Sequence, residues 1–352
     1  MTIPHSIPTV IGVDIGQRSI KAAQLAAAGD CYRVLALALV PRPEPEQQTA
    51  PADVLALKNV LKRQGFRGRD LVLAAPEKPL LRAALQLPAK VAGAPVEQII
   101  RMELSRLHNV PPDSFEMAYW ELRAANGSKP MIQALAVGCP HAVANPLLDL
   151  FEDAGFRVVA LDVRTAAAAR ACGPLILPAP QITALVDLGW RSSSLLFVCG
   201  PSLIYERPLD GVFLAELADR LSEAFGIPLE AACQIINTVG LTAETGAGQM
   251  DRESLEAIRK HLNSHFDRLL EELKVPLSYV NHHFSGEGVK RLLLLGGSAA
   301  VPQLAAHCQD RLGLEVRTAG PSDLVESPPE LLAKATNPAL TVAVGLAQFR
   351  EA

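Results

Sequence analysis

The chain carries one short pattern twice. Ile11-Gly12-Val13-Asp14-Ile15-Gly16-Gln17-Arg18-Ser19-Ile20-Lys21 returns, in altered form, as Val186-Asp187-Leu188-Gly189-Trp190-Arg191-Ser192-Ser193-Ser194-Leu195. Each copy reads as a buried strand reaching an acidic residue, then a glycine that permits a tight turn with backbone N–H groups outward, then hydroxyls and a second strand. One such hairpin closes many ordinary sheets. Two of them, followed by a third glycine element, restrict the fold far more. That third element runs from Arg291 to Leu304: an apolar strand, Leu292 to Leu295, enters Gly296-Gly297-Ser298 ahead of a helix. There the glycines let backbone approach a flat ligand, and the helix N-terminus favours an anion. The hairpins suit phosphate.

Bulk composition sets the frame. With 352 residues, 49% of them hydrophobic and 20% charged, the chain has material for two cores. A formal net charge of −4 and the lack of a basic block argue against nucleic acid or an anionic membrane as the main partner. The longest apolar runs, such as Val34 to Val40, are far shorter than the roughly 20 residues of a bilayer helix, and no signal peptide opens the sequence. The expectation is a cytoplasmic protein without membrane insertion. Cys31, Cys139, Cys172, Cys199, Cys233 and Cys308 form no Cys-x-x-Cys pair and read as reduced core thiols. His261 and His265 share a helix face at metal-binding spacing, with His282 and His283 further along, but no Cys or carboxylate pattern accompanies them, so they read as packing or surface residues.

Periodicity organises the rest. Residues 10–40 read as three strands, and the proline-rich stretch from Pro41 to Gln48 as an exposed loop. Ala52 to Gln64 reads as a helix stopped by Gly65. Residues 69–159 change rhythm and read as an inserted block: a strand pair (Leu71 to Ala75, Leu80 to Leu87), a helix (Val96 to Leu107), two strands (Glu116 to Arg123, Met131 to Val137), a helix (Ala142 to Ala154) and a returning strand (Phe156 to Leu161). The Ala-rich run from Thr165 to Ala171 reads as a thin helix pressed between layers, and Gly240 to Gly248 as a mobile loop.

The order and spacing of the two hairpins and the Gly-Gly-Ser loop resemble the actin, sugar kinase and heat-shock chaperone superfamily. The resemblance implies an α/β actin-like ATPase fold, with two RNase H-like domains clasping ATP between them. Within that superfamily the chain resembles the type IV pilus assembly family PilM and its relative FtsA. The likeness rests on Leu87-Pro88, Arg101-Met102-Glu103, Val110-Pro111-Pro112, Glu116 to Leu122, Ala154-Gly155-Phe156, Leu161-Asp162-Val163 and the closing run Asn337 to Ala347. It implies an FtsA/PilM-type inserted subdomain 1C at residues 69–159. Subdomain 1A would be residues 8–68, 160–178 and 325–352, subdomain 2A residues 179–215 and 288–324, and subdomain 2B residues 216–287.

Site roles follow from that resemblance. Asp14 would hold Mg2+ through water, Gly16, Gln17, Arg18 and Ser19 would present N–H and hydroxyl groups to phosphate, and Lys21 would reach the outer phosphates. Asp187 would face the metal from the other side, Gly189, Ser192 and Ser193 would form the second clamp, and Gly296, Gly297 and Ser298 would border the adenosine. Asp187 and Lys21 also have plain readings, as a turn-capping carboxylate and an exposed strand residue. No catalytic residue is assigned. Departures from the pattern stand at Cys233 and Ile236, where nucleotide-binding relatives carry Glu and Lys, at Trp190, which either crowds the phosphate path or stacks outside it, and at Val163 or Arg164, where a water-positioning group would stand.

Three functions are implied. The first is a cytoplasmic scaffold of the type IV pilus inner-membrane platform, peripheral to the membrane, that binds ATP and Mg2+ and captures the N-terminal cytoplasmic tail of a PilN-like protein in a groove between the main domain and the 1C block. Other platform proteins and the assembly motor are further partner candidates. The second is a nucleotide-free pseudo-ATPase adaptor of a related pilus or type II secretion system. The third is a sugar-kinase-like phosphotransferase, for which no suitably placed carboxylate base is found. A secretion protein of the L kind would run on into a membrane helix and an FtsA-like protein would end in a basic amphipathic helix; neither is expected after Phe349-Arg350-Glu351-Ala352.

Overall fold

A computed structural model of the chain describes residues 7–28, 31–76, 79–88, 95–122, 131–242, 251–284 and 288–350. In chain order the first half contains β1 (Ile7–Pro8), β2 (Ile11–Ile15), β3 (Ser19–Ala28), β4 (Cys31–Pro41), α1 (Pro51–Arg63) and β5 (Asp70–Ala74). Then come β6 (Leu81–Pro88), α2 (Val96–His108), β7 (Phe115–Leu122), β8 (Met131–Pro140), α3 (His141–Asp153), β9 (Arg157–Asp162) and α4 (Arg164–Ala171). The second half contains β10 (Ile182–Leu188), β11 (Ser193–Cys199), β12 (Ser202–Leu209), α5 (Leu214–Phe225), α6 (Leu229–Val239), α7 (Arg252–His283) and β13 (Val289–Leu295). It ends with α8 (Leu304–Leu312), β14 (Glu315–Thr318), α9 (Pro321–Leu324), α10 (Leu332–Ala335) and α11 (Thr341–Ala347).

Three sheets result. The first runs β1-β3-β2-β5-β9 with β4 on the free side of β3; the second runs β12-β11-β10-β13-β14; the third is β6-β8-β7. Both large sheets combine an antiparallel hairpin with parallel strands, β2 beside β5 and β10 beside β13. Alternation within the strands sends successive residues to opposite faces. Ile11, Val13, Leu71 and Leu73 bury against α1 and α3 through Leu57, Leu61, Leu147 and Phe151. Ala184, Val186, Leu292 and Leu294 bury against α5 to α8. Between the sheets lies one shared core, where α4 and α11 are covered by Val72 and Ala74 from one side and by Leu185, Leu293 and Leu295 from the other.

That central layer has no slack. A Cβ on Gly345 of α11 would overlap the carbonyl oxygen of Ala167 in α4, and one on Gly12 of β2 would overlap that of Ala343. The thin, alanine-rich helix expected over Thr165 to Ala171 is therefore required by backbone-to-backbone contact.

The inserted block is smaller than expected. β5 lies between β2 and β9 in the first sheet, and α3 buries Leu147 and Phe151 in that domain's core, so residues 69–76 and 141–159 belong to the main domain. Leu71 to Ala75 and Leu80 to Leu87 are not a pair; β6 pairs with β8 instead. The separate unit is β6, α2, β7 and β8, whose core joins Ile100 and Leu104 of α2 to Leu85, Phe115, Ala134 and Ala136. A second small cluster, Leu135 and Val137 with Val163, Ala166 and Leu203, fastens this unit to α4 and β12. Of the loop expected at Gly240 to Gly248, residues 243–248 lie outside the described residues, as does Arg123 at the end of its expected strand.

Candidate functional site: the interdomain cleft and the groove behind it

The carboxyl ends of β2, β10 and β13 and the start of α4 converge between the two large sheets, the position at which open α/β sheets present ligand sites. In the β2–β3 hairpin Asp14 is directly opposite Lys21, so a cross-strand pair on one face explains their seven-residue spacing. Lys21 Nζ is 3.7 Å from Asp14 Oδ2, and Asp14 is 1% exposed. In the second sheet Asp187 is flanked by Ser194 and Leu295. Gly296, at φ +81°, brings its backbone against the Asp187 carboxylate, and any Cβ would stand 2.5 Å from the carbonyl oxygen of Leu188. Only glycine fits there.

The remaining expected residues divide by what holds them. The Gly16 N–H donates to Ser19 O at 3.0 Å and the Gly189 N–H to Ser192 O at 2.9 Å, closing the two turns. The carbonyls of Gln17 and Arg18 accept from the N–H groups of Glu46 and Arg42. Ser193 is buried and its hydroxyl donates to Val212 O at 2.9 Å, so it is tied into the second domain's core and does not serve the clamp. Ser298, also buried, donates to Gly189 O at 3.3 Å and ties the third loop to the second hairpin. A Cβ on Gly297 would meet nothing within 4 Å, so a flat ligand has open ground at that loop.

Arg18 turns away from the turn it occupies. Its guanidinium lies 4.6 Å from the Trp190 ring centroid, donates to Cys233 Sγ at 3.2 Å and pairs with Glu230 at 3.4 Å. Trp190 therefore stacks at the mouth of the cleft, and its indole N–H donates to Glu46 Oε1 at 2.6 Å while Arg191 pairs with the other oxygen. Glu46 belongs to the first domain's β4–α1 loop, at φ 67°, and so clips that loop to the second hairpin. Burial pushes its carboxyl up, but the bonds from Arg191 and Trp190 and the charges of Arg191 and Arg18 outweigh that and hold it below the ordinary value. Beneath the loop, buried Arg42 donates to Asp53 at 2.8 Å and to the Gln47 and Gln48 carbonyls, fixing the loop under the first hairpin. None of these partners shows in the local sequence except the acidic residue in the first turn of α1.

The most consequential residue was one the sequence marked only as a departure. Arg164, at the first position of α4, spans the two candidate metal carboxylates, with Nη1 on Asp14 Oδ1 and Nη2 on Asp187 Oδ2 at 3.1 Å. With Lys21 this makes two carboxylates and two basic side chains. The cluster has no net charge left to draw a divalent ion, and the guanidinium occupies the space between the carboxylates. Mg2+ does not fit the arrangement. Asp162, the nearest other carboxylate on this connection, is committed to Arg170 at 2.9 Å and to the Val163 N–H. At the expected ribose contact, Ile236 is fully buried and Cys233 faces Arg18.

On the other side of α4 lies a groove of about 940 Å³ between the inserted unit and the main body. Trp120 of β7, Ala166 and Ala169 of α4, Val198 of β11 and Leu203 of β12 give it apolar walls. Both β7 and β12 are edge strands of their sheets. Arg82 and Glu206 form an ion pair that joins β6 to β12 beside it. Of the six thiols, Cys172, Cys199 and Cys308 are buried as expected, whereas Cys31 is exposed. No group of three or more metal-ligating side chains occurs among the described residues, and His265 is a buried core residue.

Comparison with known proteins agrees with this architecture. A family model described as type IV pilus assembly protein PilM matches residues 12–351. Among solved structures, the PilM–PilN type IV pilus biogenesis complex contains a chain similar at a TM-score of 0.78 and 20% identity, over 97% of this chain and 98% of that one. The ethanolamine utilization protein EutJ from Carboxydothermus hydrogenoformans is similar at a TM-score of 0.52 and 15% identity, over 99% of this chain and 92% of that one. A diol dehydratase-reactivating factor in nucleotide-free form is similar at 0.56 and 10%, over 97% and 99%. The fold is the α/β actin-like ATPase fold.

Proposed function

The chain belongs to the family of the type IV pilus assembly protein PilM, and from that membership we propose that it is a scaffold of the inner-membrane pilus platform which captures the N-terminal cytoplasmic tail of a PilN-like membrane protein. The groove between β7 and β12 carries this reading. Its two edge strands offer unpaired backbone to an extended peptide, and its apolar walls offer pockets to alternate side chains. Because no described helix is long and apolar enough to cross a membrane, such a tail would also supply the tether to the cytoplasmic face.

The interdomain cleft is proposed to hold ATP. Two glycine turns and Lys21 face the phosphate positions, and the open backbone at Gly297 suits the adenosine. Bound ATP would supply a polyanion bridging both hairpins. Among the described residues Arg164 stands where a water-activating base would, and Asp162 is engaged by Arg170. The role of the nucleotide is to hold the domains, with little or no turnover. A nucleotide-free adaptor has one observation in its favour, the Arg18 guanidinium beside Cys233 at the expected ribose contact.

Isothermal titration with a peptide copying the N-terminal cytoplasmic tail of a PilN-like membrane protein tests the scaffold. Binding that Leu203→Asp weakens at least tenfold, by about 1.4 kcal/mol or more, is expected. Binding indifferent to Leu203→Asp, or none at high micromolar peptide, would remove the groove from the reading.

A further inference from the structure

We propose that Arg164 is a tethered cation standing in for the divalent metal of this cleft, so that Asp14 and Asp187 bind no metal ion and any nucleotide enters as the uncomplexed polyanion. The nucleotide clause rests on the function proposed above; the metal clause does not.

Three observations converge on Arg164. Its guanidinium is bidentate across the domain boundary, contacting Asp14 at the end of β2 and Asp187 at the end of β10. A planar fork with permanent charge matches two carboxylates in a way a single ammonium cannot. The position is otherwise a poor one for a cation, because the first residue of a helix faces the positive end of its dipole. An arginine there is held by its anionic partners. Finally, the backbone that carries it cannot retreat, since Ala167, one turn on, touches Gly345 of α11 without room for a methyl group.

The charge count then decides what the cleft can take. A site for Mg2+ needs surplus negative charge and oxygen ligands left for the ion or its waters. Here Lys21 lies 3.7 Å from Asp14, Arg164 bridges both carboxylates, and the sum is zero. A divalent ion entering would have to displace the guanidinium from both anions at once. A phosphate chain, by contrast, meets carboxylates that Arg164 and Lys21 have already neutralised, so it enters without the repulsion from Asp14 and Asp187 that a bound cation would otherwise have to screen.

Manganese, a paramagnetic stand-in for magnesium, gives the direct test on the full chain. Titration followed by electron paramagnetic resonance of free Mn2+ should show no bound ion in the native chain that Asp14→Asn removes. Arg164→Gln should create such a site, and adding Asp14→Asn should abolish it. The proposal is overturned if the native chain binds Mn2+ and Asp14→Asn releases it. It is overturned equally if folded Arg164→Gln gains no site. Should that variant fail to fold, Arg164→Met serves the same comparison, because it too removes the charge while keeping an unbranched side chain. In parallel, a fluorescent ATP analogue is titrated in EDTA and in Mg2+. Affinities within about twofold are expected, and a tenfold or greater gain with Mg2+, lost in Asp14→Asn, would refute the metal clause. No binding in either buffer would refute the nucleotide reading instead, and the manganese titration would still decide on Arg164.

Discussion

Glu46→Gln should open the mouth of the cleft, and Trp190 reports it. The carboxylate is the joint between domains: it accepts the Trp190 N–H at 2.6 Å and pairs with Arg191, while Arg18 covers the ring from the first hairpin. Glutamine keeps a carbonyl for the indole, so the loss is the charge assistance on that bond, about 1 kcal/mol. The Arg191 pair adds less, because its side chain is 49% exposed and an exposed ion pair is worth roughly 0–1 kcal/mol. Together they predict a loss of about 1–2 kcal/mol, a factor of roughly 5–30 in the ratio of closed to open mouth. The chain has only two tryptophans, so Trp120→Phe leaves Trp190 as the sole emitter. In that background acrylamide quenching should rise clearly with Glu46→Gln and stay unchanged with Glu44→Gln, a neighbour in the same loop. Acid should act in the same direction. Because the folded carboxyl sits below its ordinary value of 4.5, the stabilisation is fully present above that value and is lost as the pH falls through the depressed one. Unchanged quenching in Glu46→Gln would show that the contact does not hold the domains.

Three further outcomes follow from burial. Gly345→Ala should destabilise by about 3 kcal/mol or more, the upper range for overpacking, since the obstacle is the Ala167 backbone; thermal unfolding checks it. Asp53→Ala should cost about 3–5 kcal/mol by stranding Arg42, whose side chain is 3% exposed, and Arg42→Met combined with Asp53→Leu should recover much of that in urea unfolding. His265 is held neutral down to about pH 4, first by burial and then by the Arg220 cation, against an ordinary value of 6.5. Below pH 6.5 the unfolded chain binds a proton that the folded one refuses, so stability falls by up to about 1.4 kcal/mol per pH unit until about pH 4. His265→Gln should flatten that slope between urea titrations at pH 7 and pH 5.

What the sequence disclosed, and what it hid, divides by the range of the interactions. The two hairpins were legible because strand alternation and a turn glycine are local, and the Asp14–Lys21 pair follows from the register of a single turn. The limits of the inserted block were not. β5 and β6 are similar apolar strands in local character, and only the parallel pairing of β5 with β2 and β9 assigns it to the main sheet. Ser192, Ser193 and Ser194 form an unbroken run of hydroxyls. In a strand such a run points to both faces, so composition could not say that Ser193 turns inward to Val212. Trp190 was visible as an obstruction, but its partners Arg18 and Glu46 lie far away in the chain. Arg164 was visible only as a missing base, because its meaning depends on Asp14, 150 positions earlier, and on a second sheet.

The helix that the sequence described least well is the one on which both sites depend. α4 reads Arg164-Thr-Ala-Ala-Ala-Ala-Arg-Ala, almost without information, yet each neighbour dictates part of it. The Ala167 backbone lies so close to α11 that only glycine fits at Gly345, and Ala166 and Ala169 keep the groove floor open where longer side chains would fill it. The two arginines leave the ends in opposite roles: Arg164 neutralises the cleft, and Arg170 holds Asp162 at 2.9 Å and the Gly345 carbonyl at 2.7 Å, anchoring the helix to β9 and α11. Hydrophobic periodicity is absent because neither face is free, one meeting α11 and the other the groove. A helix squeezed between two backbones and a ligand groove has only small residues and end charges left to vary, and the charge at its first position is what separates this cleft from one built around a metal ion.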